Sequence, residues 1–338
     1  MFAKSHISPL LSLLMALTLS ACKPEPKMQY ITTNSEALGT FAMVKCNTDK
    51  GEDVIYDLVE SIDKEAKASM SIFDETSLLS RINRGETDEL DKHIERNIEI
   101  AGRFTELSDG VYDITIKPLT EAWGFAGGNN EDSEPNIDSL LQFVGFDKIS
   151  VKDGKLIRSD RRVQLDFNSI AKGYTVDLVA EELEAMGIEE YLVNIGGEIR
   201  CKGVNDKGEP WSIAIETPYD GNVAMDSYEK ILRISDCGLA TSGNYRRFYY
   251  TDEGEKVTHT IDPRTGRSVV SALLSATVIA PTCAEADAAA TMFMAMGSEG
   301  GALELAQRCE RELGWRYYFI YANGEKYRIE CSDEFKEE

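Results

Sequence analysis

Three short strings carry side chains whose types and spacing could do chemistry. Pro281-Thr282-Cys283-Ala284-Glu285 has a capping-box spacing between Thr282 and Glu285, which predicts a helix start there. On that helix Asp287 and Thr291 stand four residues apart and share a face, among alanines at 286, 288, 289 and 290 that allow close approach. A carboxylate beside a hydroxyl offers hard oxygen donors, suited to magnesium or calcium rather than to zinc or copper. The same pair also suits a plain solvated helix face. The second string runs from Thr258 to Gly266 and contains His259 and Ile261. Its Asp262-Pro263-Arg264-Thr265-Gly266 portion predicts an abrupt turn, so His259 is displayed near a strand end as a structural hydrogen bonder or as a proton acceptor. The third string, Asp166 through Tyr174, leads from a polar turn into a helix that carries Asp177. Lys172 would stand there as a point charge beside a helix N-terminus, which is a ready anion site. Between these strings, Ala240 through Arg247 combines small hydroxyl residues, a glycine and two arginines. That composition suits a phosphate-facing loop or an ordinary polar turn.

Several elements must position these residues. Helical periodicity covers 53–70, 94–107, 171–186 (ended by Gly187), 283–296 and 299–312, with a short helix over 137–144. Strands are expected at 191–195, 199–204, 211–216, 230–235, 275–280, 316–321 and 325–330, and two more flank the Lys152-Asp153-Gly154 turn. Without regular β-α alternation the class is α+β, with mixed sheets packed against helices. His93 falls in a charged helical stretch and reads as a solvated surface residue. No dinucleotide-binding glycine fingerprint, P-loop or hydrolase nucleophile elbow occurs.

Composition narrows the partners. A formal net charge of -23 argues against nucleic acid and anionic membrane surfaces, so any phosphate-bearing ligand must be held by local cations, a metal or helix N-termini. The first 21 residues read as a signal peptide, with Lys4 ahead of a mostly apolar run from Ile7 to Leu19. That run is shorter than the ~20 residues a spanning helix needs. Leu19-Ser20-Ala21-Cys22 fits a bacterial lipobox, with Cys22 as the acylated residue and 22–29 as a Pro/Lys-rich tether. The expected location is therefore the periplasm, with a lipid anchor in the inner or outer membrane. Of the seven cysteines, six remain besides Cys22, and their fifteen possible pairings stay open.

Read in order, further strings join these. They are Leu38-Gly39-Thr40, Met70 to Phe73, Ser77 to Asn83, Asp109 to Asp113, Lys117-Pro118-Leu119, Trp123-Gly124-Phe125 and Asn194 to Glu198. The whole set resembles the ApbE family, the FAD:protein FMN transferases. The resemblance implies one ApbE-like domain over 30–334 with a T-fold-like architecture. It implies magnesium held by the Ala171 carbonyl, Asp287 and Thr291, and FAD as a substrate. Leu38, Phe73, Trp123, Gly124, Phe125, Asn168, Tyr174 and Ile261 fall at positions that contact FAD in the family, Lys172 joins them as the cofactor-binding charge read above, and His259 matches the family's catalytic histidine. As an ordinary imidazole, His259 would titrate near the usual value of about 6.5. Ile114 and Lys117 replace the family's usual proline and glycine, which leaves the backbone before Pro118 open. The implied acceptors are periplasm-facing subunits of redox-driven ion-pumping complexes. The rival readings are an FAD pyrophosphatase that yields FMN and AMP, and a non-catalytic FAD-binding lipoprotein. For the anchor, Cys22→Ser is expected to leave the protein without acyl chains, as read by intact mass from the native host. An unmodified Cys22 in the mature wild-type protein would overturn the lipobox reading.

Overall fold

The computed structural model describes residues 27–126, 135–219, 227–245, 247–324 and 326–336. The signal segment, Cys22, most of the tether, residues 131–134 of the acidic loop and Arg246 lie outside the described residues. Eight strands form one open sheet. Its spatial order is β1 (Gln29–Ala37), β2 (Thr40–Thr48), β5 (Tyr191–Ile195), β6 (Glu198–Lys202), β9 (Cys237–Gly243), β14 (Leu273–Ala280), β15 (Arg316–Asn323) and β16 (Lys326–Cys331). Every neighbouring pair runs antiparallel. Small ladders join β3 (Ile149–Lys152) to β4 (Lys155–Arg158) and β7 (Trp211–Glu216) to β8 (Tyr228–Ile234). Two more join β10 (Phe248–Tyr250) to β11 (Lys256–Thr258) and β12 (Ile261–Asp262) to β13 (Arg267–Ser268). The helices are α1 (Glu52–Met70), α2 (Leu78–Asn83), α3 (Lys92–Leu107), α4 (Lys117–Ala122), α5 (Ile137–Leu141), α6 (Ala171–Ala185), α7 (Cys283–Met296) and α8 (Ala302–Leu313). The α+β class holds, and no described helix is long and apolar enough to cross a membrane.

Period-two burial explains the layers. In β5, Tyr191, Val193 and Ile195 join a cluster with α1 and α6, while Leu192 faces the opposite side and packs with Trp211, Ile213 and Ile215 of β7. Helices thus cover one face of the sheet and the β7–β8 hairpin part of the other. The β1–β2 hairpin, absent from the sequence reading, closes through Leu38, whose φ of 50° is left-handed. The stretch read as a loop from Ala240 is strand β9 as far as Gly243, and its small residues lie where α7 packs. His93 also departs from expectation. It is buried, with Nδ1 3.0 Å from the Tyr174 hydroxyl and Nε2 2.8 Å from Glu65, because the apolar face of α3 turns it inward. Before Pro118, Ile114 is fully buried and Ile116 caps α4, so the proline sits in the first turn of a helix, where it is tolerated.

The position of α7 is fixed at its N-terminus. Thr282 accepts from the Glu285 backbone N–H at 3.2 Å, as the capping spacing predicts. The Glu285 carboxylate turns instead to Arg103, 3.1 Å away. The Asp177 carboxylate accepts the Cys283 and Ala284 N–H groups at 2.9 and 2.8 Å, taking two of the donors a helix start leaves orphaned. Arg200 completes the cluster at 2.8 Å from Asp177. Close approach of α6 and α7 requires Gly173, where a Cβ would stand 2.4 Å from the Cys283 carbonyl oxygen and 2.8 Å from the Asp287 Cβ. Asp177→Ala is expected to lower the unfolding free energy by roughly 3–5 kcal/mol, since it leaves Arg200 and the helix start without their partner. A fall in the urea midpoint with an unchanged slope checks this.

Candidate functional site

The helix α7, the N-terminus of α6, the β6 and β9 strands and the loop through His259 converge on one cavity of about 610 Å³. That volume lies within the range of small-molecule sites. Asn168, Lys172, His259, Ile261, Asp287 and Thr291 all line it. Phe125 adjoins the site, with its ring 6.3 Å from that of His259 in an edge-on arrangement.

The acidic floor is built from two helices and a strand. Asp287 is buried, and one of its oxygens accepts the Gly173 N–H at 3.0 Å. Thr291, one turn further along α7, lies 3.2 Å from the Ser242 hydroxyl. Glu198 opens β6 after the Gly196-Gly197 turn and holds Lys172 at 2.5 Å with one oxygen, while its buried Oε2 has no protein partner. Burial, and then Glu198, push the Asp287 carboxyl up to about 7. The Lys172 ammonium is held above its usual range, since Glu198 and Asp287 outweigh burial. Lys172 is therefore one half of an ion pair rather than the isolated point charge expected from the sequence.

The residues present fit a hard divalent cation. Two buried carboxylates line the floor, only Glu198 is bonded to the lysine, one Glu198 oxygen is unpartnered, and a hydroxyl stands on the same helix face as Asp287. The Ala171 carbonyl, at the first turn of α6, accepts the Thr175 hydroxyl at 2.7 Å and lies beside the turn whose Gly173 N–H is bound to Asp287. Among the described residues no three His, Cys, Asp or Glu side chains group as a metal site, so a metal here would draw on hydroxyl and carbonyl oxygens as well.

His259 sits between β11 and β12 with its backbone N–H and its Nδ1 each 3.2 Å from the Arg247 carbonyl. A carbonyl only accepts, so Nδ1 carries the proton and Nε2 keeps its lone pair. Burial, then the Arg247 guanidinium, lower the imidazole to about 4, with a smaller push from Lys172. This corrects the expectation of an ordinary value near 6.5. Arg247 also lines the cavity and donates to the Phe125 carbonyl at 3.2 Å.

A sequence signature described as the ApbE family matches residues 38–314. The chain belongs to the ApbE family. It is 35% identical over 322 residues to the FAD:protein FMN transferase of Haemophilus influenzae, covering 90% of this chain and 91% of that protein. The flavin transferase ApbE from Vibrio cholerae matches with a TM-score of 0.79 at 29% identity, over 92% of this chain and 99% of that one. The apo form of Pseudomonas stutzeri flavinyl transferase ApbE matches with a TM-score of 0.80, also at 29% identity, over 92% of this chain and 96% of that one.

Other positions drawn from the ApbE resemblance have their own places. Trp123 is buried among Leu119, Ile137 and Ile261, and its Nε1 donates to the Gly266 carbonyl at 2.8 Å, tying α4 to the turn after β12. Gly124 supplies the left-handed turn, φ 79°, that swings Phe125 toward His259. Tyr174 packs in the main core and bonds His93. Leu38 packs on the same core and donates its N–H to Asp63 at 2.6 Å. Phe73 is 62% exposed. These five residues, with Ala171, do not form the cavity lining. Glu198 escaped the sequence reading as a site residue, although it lay in a string that reading singled out, whereas Arg247 belonged to the loop read as phosphate-facing. What sets Glu198 apart is its burial opposite Lys172, which only the α6–β6 packing creates. In an NMR titration the His259 ring is expected to stay neutral from pH 8 down to about pH 5 and to protonate near 4. A midpoint near 6.5 would contradict the burial argument.

Proposed function

We propose that this chain transfers FMN from FAD to a threonine or serine hydroxyl of an acceptor protein, with magnesium held by Asp287, Thr291 and the Ala171 carbonyl. One observation carries the reading: the hard-oxygen face of α7 and the neutral imidazole of His259 line the same cavity. Similarity to FAD:protein FMN transferases over most of the chain supports the substrate class.

A magnesium ion bound there supplies charge neutralisation for the pyrophosphate of FAD. The chain's own residues do the rest. His259 Nε2 accepts the proton of the acceptor hydroxyl, whose oxygen attacks the FMN phosphorus. The bond from that phosphorus to the bridging oxygen breaks, and AMP leaves with the electron pair. Arg247 presents the positive charge of its guanidinium to the phosphates. Lys172 stays paired with Glu198 and limits the net negative charge beneath them. Because His259 is neutral at pH 7, the base needs no prior deprotonation.

Cys22, outside the described residues, would hold the enzyme at a membrane and present this cavity to the periplasm. Its acceptors would then be periplasm-facing subunits of redox-driven ion-pumping complexes. The test is to incubate protein, FAD, magnesium and a candidate acceptor, and then to weigh the acceptor and quantify AMP. Wild-type protein is expected to add one FMN per AMP released. Asp287→Asn is expected to abolish transfer and its magnesium dependence. His259→Asn is expected to retain FAD binding and to slow transfer roughly a hundredfold to ten-thousandfold. FMN and AMP appearing with an unmodified acceptor would favour hydrolysis, and FAD bound without turnover would favour a carrier.

A further inference from the structure

Six cysteines lie within the described residues, all of them buried, and the sheet register distinguishes one pair. Cys201 on β6 stands directly opposite Cys237 on β9. Cys46 faces Tyr191 and Cys331 faces Tyr318, while Cys283 and Cys309 sit on helices. Directly opposed antiparallel residues hold their Cα atoms about 4.5–5.5 Å apart. That separation falls inside the window of about 4.4–6.8 Å that a disulfide requires. Opposed side chains point to the same face, and both sulfurs enter the apolar cluster beneath the β7–β8 hairpin.

We infer that Cys201 and Cys237 form a cross-strand disulfide when the protein folds in an oxidising compartment, and that this bond clamps two walls of the cavity together. The oxidant is a second disulfide, either on a thiol oxidoreductase or on a small thiol such as glutathione. Cys201 first exchanges with it to give a mixed disulfide and release one thiol. The Cys237 thiolate then attacks the Cys201 sulfur and expels the second thiol. Two cysteine thiols are oxidised, the oxidant disulfide is reduced to two thiols, and the two protons pass to the thiols released. Cys201 is 1% and Cys237 5% exposed, so exchange occurs while β6 and β9 are still pairing and the product is shielded afterwards.

The clamp would act on the site through its strands. β6 starts at Glu198, the partner of Lys172, and β9 ends in Thr241, Ser242 and Gly243, which line the cavity. The bond closes a loop that contains the whole β7–β8 hairpin. This inference does not depend on the transfer reaction.

The experiment uses the full mature chain, folded with oxidised and reduced glutathione and then denatured in a maleimide without reductant. Peptide mapping is expected to find Cys201 joined to Cys237, and Cys46, Cys283, Cys309 and Cys331 alkylated. Protein folded and kept in reductant throughout is expected to melt roughly 5–10 °C below the oxidised protein. The double variant Cys201→Ala/Cys237→Ala should lose that response. Alkylation of both residues, or a link from either one to another cysteine, would overturn the proposal. The map on the unmutated chain decides it whether or not the variant folds.

Discussion

The N-terminus of α7 is the point on which the rest of the site depends. Asp177 reaches across from α6 to take the first two available N–H groups of α7, and Arg200 from β6 holds the same carboxylate. Two neighbouring elements and the distant α7 are thereby locked at one locus. Burial still outweighs these partners and leaves the Asp177 carboxyl above its ordinary range, while Arg200 is held more firmly protonated. The cluster is therefore costly in desolvation, and its value lies in geometry more than in net stability. Glycines at 173 and 238 let backbones approach at the places where any side chain would collide with α7.

That lock sets the electrostatics of the cavity. With α7 seated against Gly173, Asp287 is held on the floor by the Gly173 N–H, and burial, with Glu198 nearby, raises its carboxyl. A protein of net charge -23 thus keeps a further concentration of acid beneath its main cavity. Lys172 offsets part of it. A divalent cation would offset the rest, and its removal should be felt most at Asp287. Arg247 and His259 line the same cavity, tied to each other through a backbone carbonyl and to Phe125 through a hydrogen bond and ring contact. Buried carboxylates suit a metal and the cations suit phosphates, so an anionic dinucleotide and its cation can share one volume.

The same geometry gives His259 a role different from that of an ordinary imidazole. Burial and a neighbouring guanidinium make it a weak but permanently available base, with its tautomer set by the Arg247 carbonyl. A base of lowered pKa gains less per proton transferred, and it compensates by being unprotonated across the physiological range. Trp123, which lines no part of the cavity, still serves this arrangement by pinning the turn that follows Ile261.

Much of this was legible in the chain itself. The Asp287–Thr291 spacing, the Thr282 cap, the turn after Ile261 and the long helices are local properties, set by backbone periodicity and short-range hydrogen bonding. The ordered motifs also identified the family before any fold was known. Tertiary structure decided the rest because burial and proximity are not local. Charge pattern placed His93 at the surface, whereas packing of α3 buried it against Tyr174. Small polar residues from Ala240 read as a loop until β14 paired with them and α7 covered them. Lys172 read as a lone cation, since only the packing of α6 on β6 brings Glu198 to it. The six cysteines offered fifteen pairings, and antiparallel register alone sets Cys201 against Cys237.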